Sequence, residues 1–257
     1  NNRLTGAICD AVGSLTKLTY LGVFENSLSG TIPSSVGSLL LLDFLGLYSN
    51  KLIGPAPPLG SLTLLVALDL SGNSLTGVVP SSFGLLTLLT YLIIDENSFS
   101  GTIPDDLGRL QNLQLLGLSS NVLTGTTPYS LGSLSLLQYI NIQFNQLTGT
   151  LPSSLGSLVM LTTLELNSNL LSGSIPVSLR FLSQLRYFGI FENSLSGTLS
   201  EALFCCFPVL QYVGLATNML SGPLPSSVGS LFAVITIDLA DNQISGTLPD
   251  TLGSLSA

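Results

Sequence analysis

The chain has 257 residues, 46 % of them hydrophobic, and carries 6 basic against 14 acidic residues for a net charge of −8, with no histidine. That balance excludes a nucleic-acid binder, which needs a cationic face to displace phosphate counterions, and it disfavours an anionic membrane surface. The missing histidine excludes Ser-His and Cys-His nucleophiles and His-ligated metal sites.

In chain order, one unit recurs. Asparagine stands at Asn2, Asn26, Asn50, Asn73, Asn97, Asn121, Asn145, Asn169, Asn193, Asn218 and Asn242. Each step is 24 residues, except 23 from Asn50 to Asn73 and 25 from Asn193 to Asn218. A fixed period of this size predicts a solenoid whose units touch only their neighbours. Each unit opens with a Leu-x-Leu alternation, as in Leu45/Leu47, Leu68/Leu70 and Leu164/Leu166. Period two marks a strand half-buried on one face, so ten strands should stack into a parallel sheet. The asparagine then ends the strand, where its amide can bond the backbone of adjacent turns. This predicts a structural ladder from Asn26 to Asn242. A Leu-Ser/Thr-Gly turn and, in most units, an Ile-Pro step follow, where glycine permits tight backbone and proline pre-sets φ. The next stretch, such as Ser34 to Leu42, is too short for a long helix and predicts a 3₁₀ or one-to-two-turn helix on the convex side. Asp105 and Asp106, just after Pro104, suit the N-terminus of one such helix.

Two units depart from the pattern. The unit at Asn50 is one residue short and reads GPAPPLG; the unit at Asn193 is one residue longer and reads SEALFCCFPVLQ. Arg180 also replaces the second glycine of its unit. These departures predict kinks or bulges away from the sheet. No apolar run reaches the roughly 18 residues that a spanning helix needs; the richest, Leu85 to Ile94, is broken by Thr87 and Thr90. The cysteines Cys9, Cys205 and Cys206 form neither a disulfide framework nor a zinc pattern. A bridge between neighbours requires an unusual ring, so Cys205 and Cys206 read as packing residues or as one partner for a cysteine elsewhere. The chain opens and stops inside repeats with no recognisable polar cap. Residues 1–257 are therefore expected to be a single domain of about ten repeats within a longer protein.

The phrase Leu-x-x-Leu-x-Leu-x-x-Asn-x-Leu, continued by Leu-Ser/Thr-Gly-x-Ile-Pro-x-x-Leu-Gly, resembles the leucine-rich repeat of the plant-specific, 24-residue type. The resemblance covers essentially the whole chain. It implies an α/β, right-handed superhelical solenoid with a concave parallel β-sheet and short 3₁₀ or α helices on the convex side. It also implies a short second sheet near the Gly-Thr-Ile-Pro segment. Members include receptor-like kinase and receptor-like protein ectodomains, polygalacturonase-inhibiting proteins and some antifreeze proteins. The chain departs from glycosylated ectodomains of this kind in having no flanking cysteine pairs and no Asn-x-Ser/Thr sequon.

If the repeated positions build the frame, function sits where copies differ. The strand positions flanking the core leucines carry Tyr20, Phe24, Phe44, Tyr48, Tyr91, Asp95, Tyr139, Phe144, Glu165, Tyr187, Phe191 and Tyr212, the expected ligand-binding residues of a concave face. Aromatics supply contact area with a polar handle, although they also favour strands and pack across them. The run aromatic-x-Gly-x-aromatic at Tyr20/Gly22/Phe24, Phe44/Gly46/Tyr48 and Tyr187/Gly189/Phe191 predicts shallow slots floored by glycine. Asp69, Asp238 and other acids join this face, and Arg186 is its one expected base. A protein, peptide or glycan partner follows, a cationic one being easiest to accommodate. The adjacent carboxylates Asp95 and Glu96 point to opposite faces of a strand, and every glycine cluster falls on the repeat. No enzyme, cofactor or metal is expected.

The leading expectation is an extracellular or cell-surface recognition scaffold, receptor-ectodomain-like or inhibitor-like. An alternative is an ice-binding surface: Thr31, Thr102, Thr126, Thr150, Thr198 and Thr247 recur at one register, interrupted by Pro55, Val78, Ser174 and Pro223. A structural wall or matrix element is the third.

Overall fold

The computed structural model describes residues 2–255. Ten three-residue strands, from Tyr20–Gly22 through Leu115–Gly117 to Thr236–Asp238, pair in parallel in strict chain order. Register is set by equivalent repeat positions. Leu45 pairs with Leu68, Leu116 with Ile140, and Phe188 with Val213, so one core position lies over the next. The alternation of Leu-x-Leu turns both leucines into one interior, where Leu45, Leu47, Leu68, Leu70, Leu164 and Leu166 have no exposed surface. One continuous apolar cluster runs from Leu28 to Leu231.

A second edge of the solenoid carries short parallel strands just after the asparagines. Six of them, Thr5–Ala7 to Val122–Thr124, form one sheet, and four, Ser172–Gly173 to Gln243–Ile244, form another. The bridges Thr126–Thr148 and Thr150–Ser172 span the interval between them. The convex side bears five-residue 3₁₀ helices such as Ser34–Ser38 and Asp105–Arg109. The repeat proline is their N-cap in most units, as at Pro33 with φ −70° and ψ 142°. Having no N–H, proline sits there without losing a hydrogen bond. Asp105 and Asp106 lie in the first turn of their helix, and Asp106 pairs with Arg109 at 3.1 Å.

Both irregular units spend their length change on the convex side. The unit at Asn50 keeps its strands Lys51–Pro55 and Ala67–Asp69 and has no helix between them; the unit at Asn193 replaces its 3₁₀ turn with the α-helix Glu201–Phe204. Cys205 and Cys206 follow that helix, exposed and joined to each other by a disulfide, while Cys9 is free and exposed. The packing role and the external partner expected of the adjacent pair are therefore replaced by a bond between neighbours. Glu201 bridges forward instead. Its carboxylate accepts from the backbone N–H of Ser226 and Ser227 at 2.8 and 2.9 Å. These are N-terminal N–H groups of the next unit's 3₁₀ helix, and their bonds hold the carboxyl below its ordinary pKa.

Candidate ligand-binding face

The asparagines fix the floor beneath the concave face. In every unit from Asn50 to Asn242 the side-chain Oδ1 accepts from a leucine or phenylalanine N–H of the preceding unit, and Nδ2 donates to carbonyls of both units. Asn121 is typical: it accepts from Phe99 at 2.9 Å and reaches the carbonyls of Ile94, Leu118 and Ser119 at 3.0 to 3.3 Å. The residue before each asparagine turns the chain with positive φ, as at Glu25, Ser49, Glu96 and Phe144, all within 52–53°. Small and polar residues take up this left-handed backbone more readily than a bulky aromatic. Phe144 accepts the conformation while remaining half exposed.

The outward strand positions sort the candidate residues into three groups. At the N-terminal end, Tyr20 stacks on Phe44 with ring centroids 4.4 Å apart, and Phe24 on Tyr48 at 4.5 Å, each pair nearly parallel. In-register strands about 4.8 Å apart place successive rings at stacking distance. At the far end Tyr187 stacks on Tyr212 at 4.3 Å. Between them lies a carboxylate band of Asp69, Asp95 and Glu165. Tyr91 stands exposed inside this band and Phe191 is half-buried beyond the strand of Tyr187. Phe144 sits at the turn after its strand, on the rim.

The glycine positions differ from the expected slots. A side chain at Gly22 would meet the Tyr20 ring at 2.7 Å, at Gly46 the Phe44 ring at 2.6 Å, and at Gly189 the Tyr187 ring at 2.9 Å. Each ring lies along its own strand over the glycine two residues ahead, so the slot is already filled. Gly214 receives Tyr212 in the same way, and Gly117 receives the Asp95 carboxylate. Glycine here clears space for a neighbour, and the face is a nearly flat aromatic pavement.

Burial sets the electrostatics of the band. It raises the Asp69 carboxyl above its ordinary range, against the hydroxyl and N–H of Ser71, which bond Oδ1 at 2.6 and 3.0 Å. It raises Asp95 as well, opposed by bonds to Ser119 and reinforced by the charges of Asp69 and Glu96. Glu165 is raised by burial, countered by the bonded Tyr139 phenol and assisted by Asp95. Burial raises the phenols of Tyr48, Tyr139 and Tyr187 too, Tyr187 to about 12, where Tyr212 and Glu165 add to the effect of burial. The phenols are thus held as donors beside carboxylates that are costly to ionise, an arrangement a cation would relieve.

The strand pattern marked Asp69 and Asp95 as acidic but gave no sign that Ser119 pins Asp95, because that bond joins neighbouring repeats and depends on register, whereas Ser71 bonds Asp69 from two residues away. The sheet also brings Asn167 and Gln143 together, with Asn167 Nδ2 donating to Gln143 Oε1 at 2.9 Å. Among the described residues no group of three or more metal-ligating side chains converges, and no helix is long and apolar enough to cross a membrane.

The opposite edge presents the hydroxyl columns. The Cγ2 methyl groups of Thr31, Thr102, Thr126, Thr150 and Thr198 each sit 2.7 to 3.0 Å from where a side chain would start on the positive-φ glycine of the next unit. That contact fixes one orientation per threonine. These five and Thr247 are exposed, and Pro55, Val78, Ser174 and Pro223 fill the same register elsewhere.

Leucine rich repeat profiles match residues 89–147 in one block, and 17–39, 64–86, 160–182 and 233–255 as single repeats. No curated protein sequence gives a significant match. Among solved structures, the chain is similar to the plant peptide hormone receptor RGFR1 in complex with RGF2, at TM-score 0.95 and 35 % identity over 99 % of this chain and 40 % of that one. It is similar to the Arabidopsis receptor kinase HAESA in complex with the peptide hormone IDA and the co-receptor SERK1, at 0.80 and 32 %, over 99 % and 47 %. A plant ice-binding protein matches at 0.80 and 33 %, over 89 % of this chain and 74 % of that one. The chain thus spans less than half of either receptor structure and about three quarters of the ice-binding one. It belongs to the leucine-rich-repeat family, in its plant-type form.

Proposed function

We propose that the chain is a non-enzymatic recognition scaffold that acts outside the cell or at its surface and binds an extended basic peptide, or a protein segment of that kind, along the concave sheet. Residues 2–255 work in this reading as one domain. The observation that carries it is the sheet's layout: two stacked aromatic groups flank a band of half-buried carboxylates on one unbroken surface. Rings supply contact area at low entropic cost, and raised carboxyls gain most from a cation. The peptide-hormone complexes among the similar structures support the peptide class. Titration calorimetry with matched synthetic peptides, one lysine- and arginine-rich and one acidic, tests it. The basic peptide should bind, weaken with salt, and lose about tenfold or more in affinity with Tyr187→Ala/Tyr212→Ala. Equal binding of both peptides, or an unchanged affinity in the variant, would rule it out.

The threonine edge supports a second reading, an ice-binding surface. Its methyl groups are locked on glycine in one orientation, and the chain spans most of the plant ice-binding protein it resembles. Ice-recrystallisation assays decide it: the wild-type chain should suppress crystal growth and Thr126→Val/Thr150→Val should not. Ordinary crystal growth in the presence of the wild-type chain removes this reading.

A further inference from the structure

The extra residue of the unit at Asn193 decides where its cysteines stand. In a regular unit two core positions of the convex turn lie three residues apart, as at Val36 and Leu39, with Gly37 and Ser38 between them. Here the corresponding positions, Leu203 and Phe207, lie four apart, and both stay buried at 1 % exposure. The insertion thus falls between two fixed anchors. With Phe204 buried as well, it leaves the bonded pair Cys205–Cys206 as the exposed tip of the turn, on the convex side and away from the concave sheet.

A disulfide stabilises chiefly by closing a loop in the unfolded chain, and the gain grows with loop length. A bond between neighbours closes the shortest loop, and other contacts already hold this turn. Phe204 and Phe207 anchor it, Ser200 Oγ accepts from the Ala202 N–H at 3.2 Å, and Glu201 ties it to Ser226 and Ser227. None of these involves sulfur. Exposure leaves the bond open to thiols in solution, as labile disulfides are. The reduced state also fits the turn: Cys205 Sγ stands 3.3 Å from the Ala202 carbonyl oxygen, a contact that becomes a hydrogen bond once the sulfur carries a proton. We infer that Cys205–Cys206 is a reversible redox site that exchanges with a low-molecular-weight thiol. The thiolate attacks one Sγ, the S–S bond breaks, and the other cysteine leaves as a thiolate that takes up a proton. A second thiol attacks the mixed disulfide, forming the reagent's own disulfide and freeing the second cysteine thiol. The chain gains two electrons and two protons, which the two thiol molecules lose. The neighbouring sulfur can also return on the mixed disulfide and expel the thiol, so that species does not accumulate.

The test uses the folded whole chain with Cys9→Ser, which removes the free exposed thiol. It is equilibrated in glutathione buffers without denaturant, trapped with iodoacetamide and weighed by mass spectrometry. The chain should pass from no alkylated cysteine to two as the reduced fraction of the buffer rises, and return to none on reoxidation. Its circular dichroism should not change, and reduction should lower the melting temperature by less than about 4 °C. With Cys205→Ser added, Cys206 loses its neighbour and should accumulate a glutathione adduct, of which the two-cysteine chain carries at least ~10-fold less. A pair that reduced glutathione leaves oxidised in the folded chain overturns the inference, and so does a reduction that melts the chain by more than that margin. Equal adduct on both chains would overturn it as well. A pair still reduced in oxidised glutathione has the same consequence, since no bond then forms to be exchanged.

Discussion

The concave sheet and the threonine edge are built on the same period by the same asparagine ladder, yet they use it in opposite ways. On the concave sheet the outward residue changes at almost every step, from Tyr20 through Asp69, Tyr91, Asp95 and Glu165 to Tyr212. Its backbone is saturated by strand pairing, so an outward side chain has only its neighbours to satisfy. On the threonine edge the side chain has a structural duty: its methyl covers the positive-φ glycine of the next unit. A position with such a duty keeps to a few residues that can cover the glycine, threonine in most units and Pro55 or Val78 in others, and a position without one is free to diverge. Variation therefore marks where recognition can be encoded, and uniformity marks what the frame requires.

The largest test strikes the element both surfaces share. Asn121→Ala removes one accepted and three donated bonds at a buried site. It should cost about 3 kcal/mol or more, read as a lower urea midpoint, and both surfaces should loosen together in hydrogen exchange. Loss confined to one of them would mean that the ladder does not couple them.

Gly149→Ala addresses the threonine edge alone. With φ at 77° and the Thr126 methyl 2.8 Å from the new side chain, it should cost about 2 kcal/mol. Thermal melting should show that loss while peptide affinity stays unchanged. A comparable drop in affinity would erase the distinction between the two surfaces.

Phe144→Asn sharpens the contrast from the concave side. The aromatic holds left-handed backbone that asparagine tolerates better. The variant should gain about 0.5–1 kcal/mol in stability and lose affinity for the basic peptide. A gain in stability without loss of binding would remove Phe144 from the recognition rim.

The smallest effect is a pH dependence. Asp69, Asp95 and Glu165 have folded pKa values raised above their unfolded ones. Their stabilising contribution is complete below about pH 4, the unfolded range, and is lost as pH rises through the folded values. Glu201, lowered by the bonds from Ser226 and Ser227, acts in the opposite sense: its contribution is present above its unfolded value and is lost as pH falls. Asp95→Asn should therefore flatten the decline in melting temperature between about pH 4 and pH 8. A steeper decline in that variant would reverse the assignment.

Much of the fold is legible in the residues. Leu45 and Leu47 announce the strand, Asn50 its end, and Pro33 the start of the convex turn, because each is a local preference repeated until it is unmistakable. The site is legible only as a set of positions. Tyr20 and Phe44 are visible as outward aromatics, but their stacking across neighbouring strands needs the register, and the rings that fill the space above Gly22 and Gly46 reverse the expected slots. The Cys205–Cys206 bond escaped a spacing argument because it depends on the exposed turn after Glu201–Phe204.

The sequence by itself determined the period, the strand-turn-helix order and the inward leucines, since these follow from side-chain alternation and backbone preference within about 24 residues. Tertiary structure alone decided what the outward residues become. Stacking brings residues 24 apart to about 4.8 Å, where rings pair and Ser119 pins the Asp95 carboxylate. No single repeat contains those neighbours.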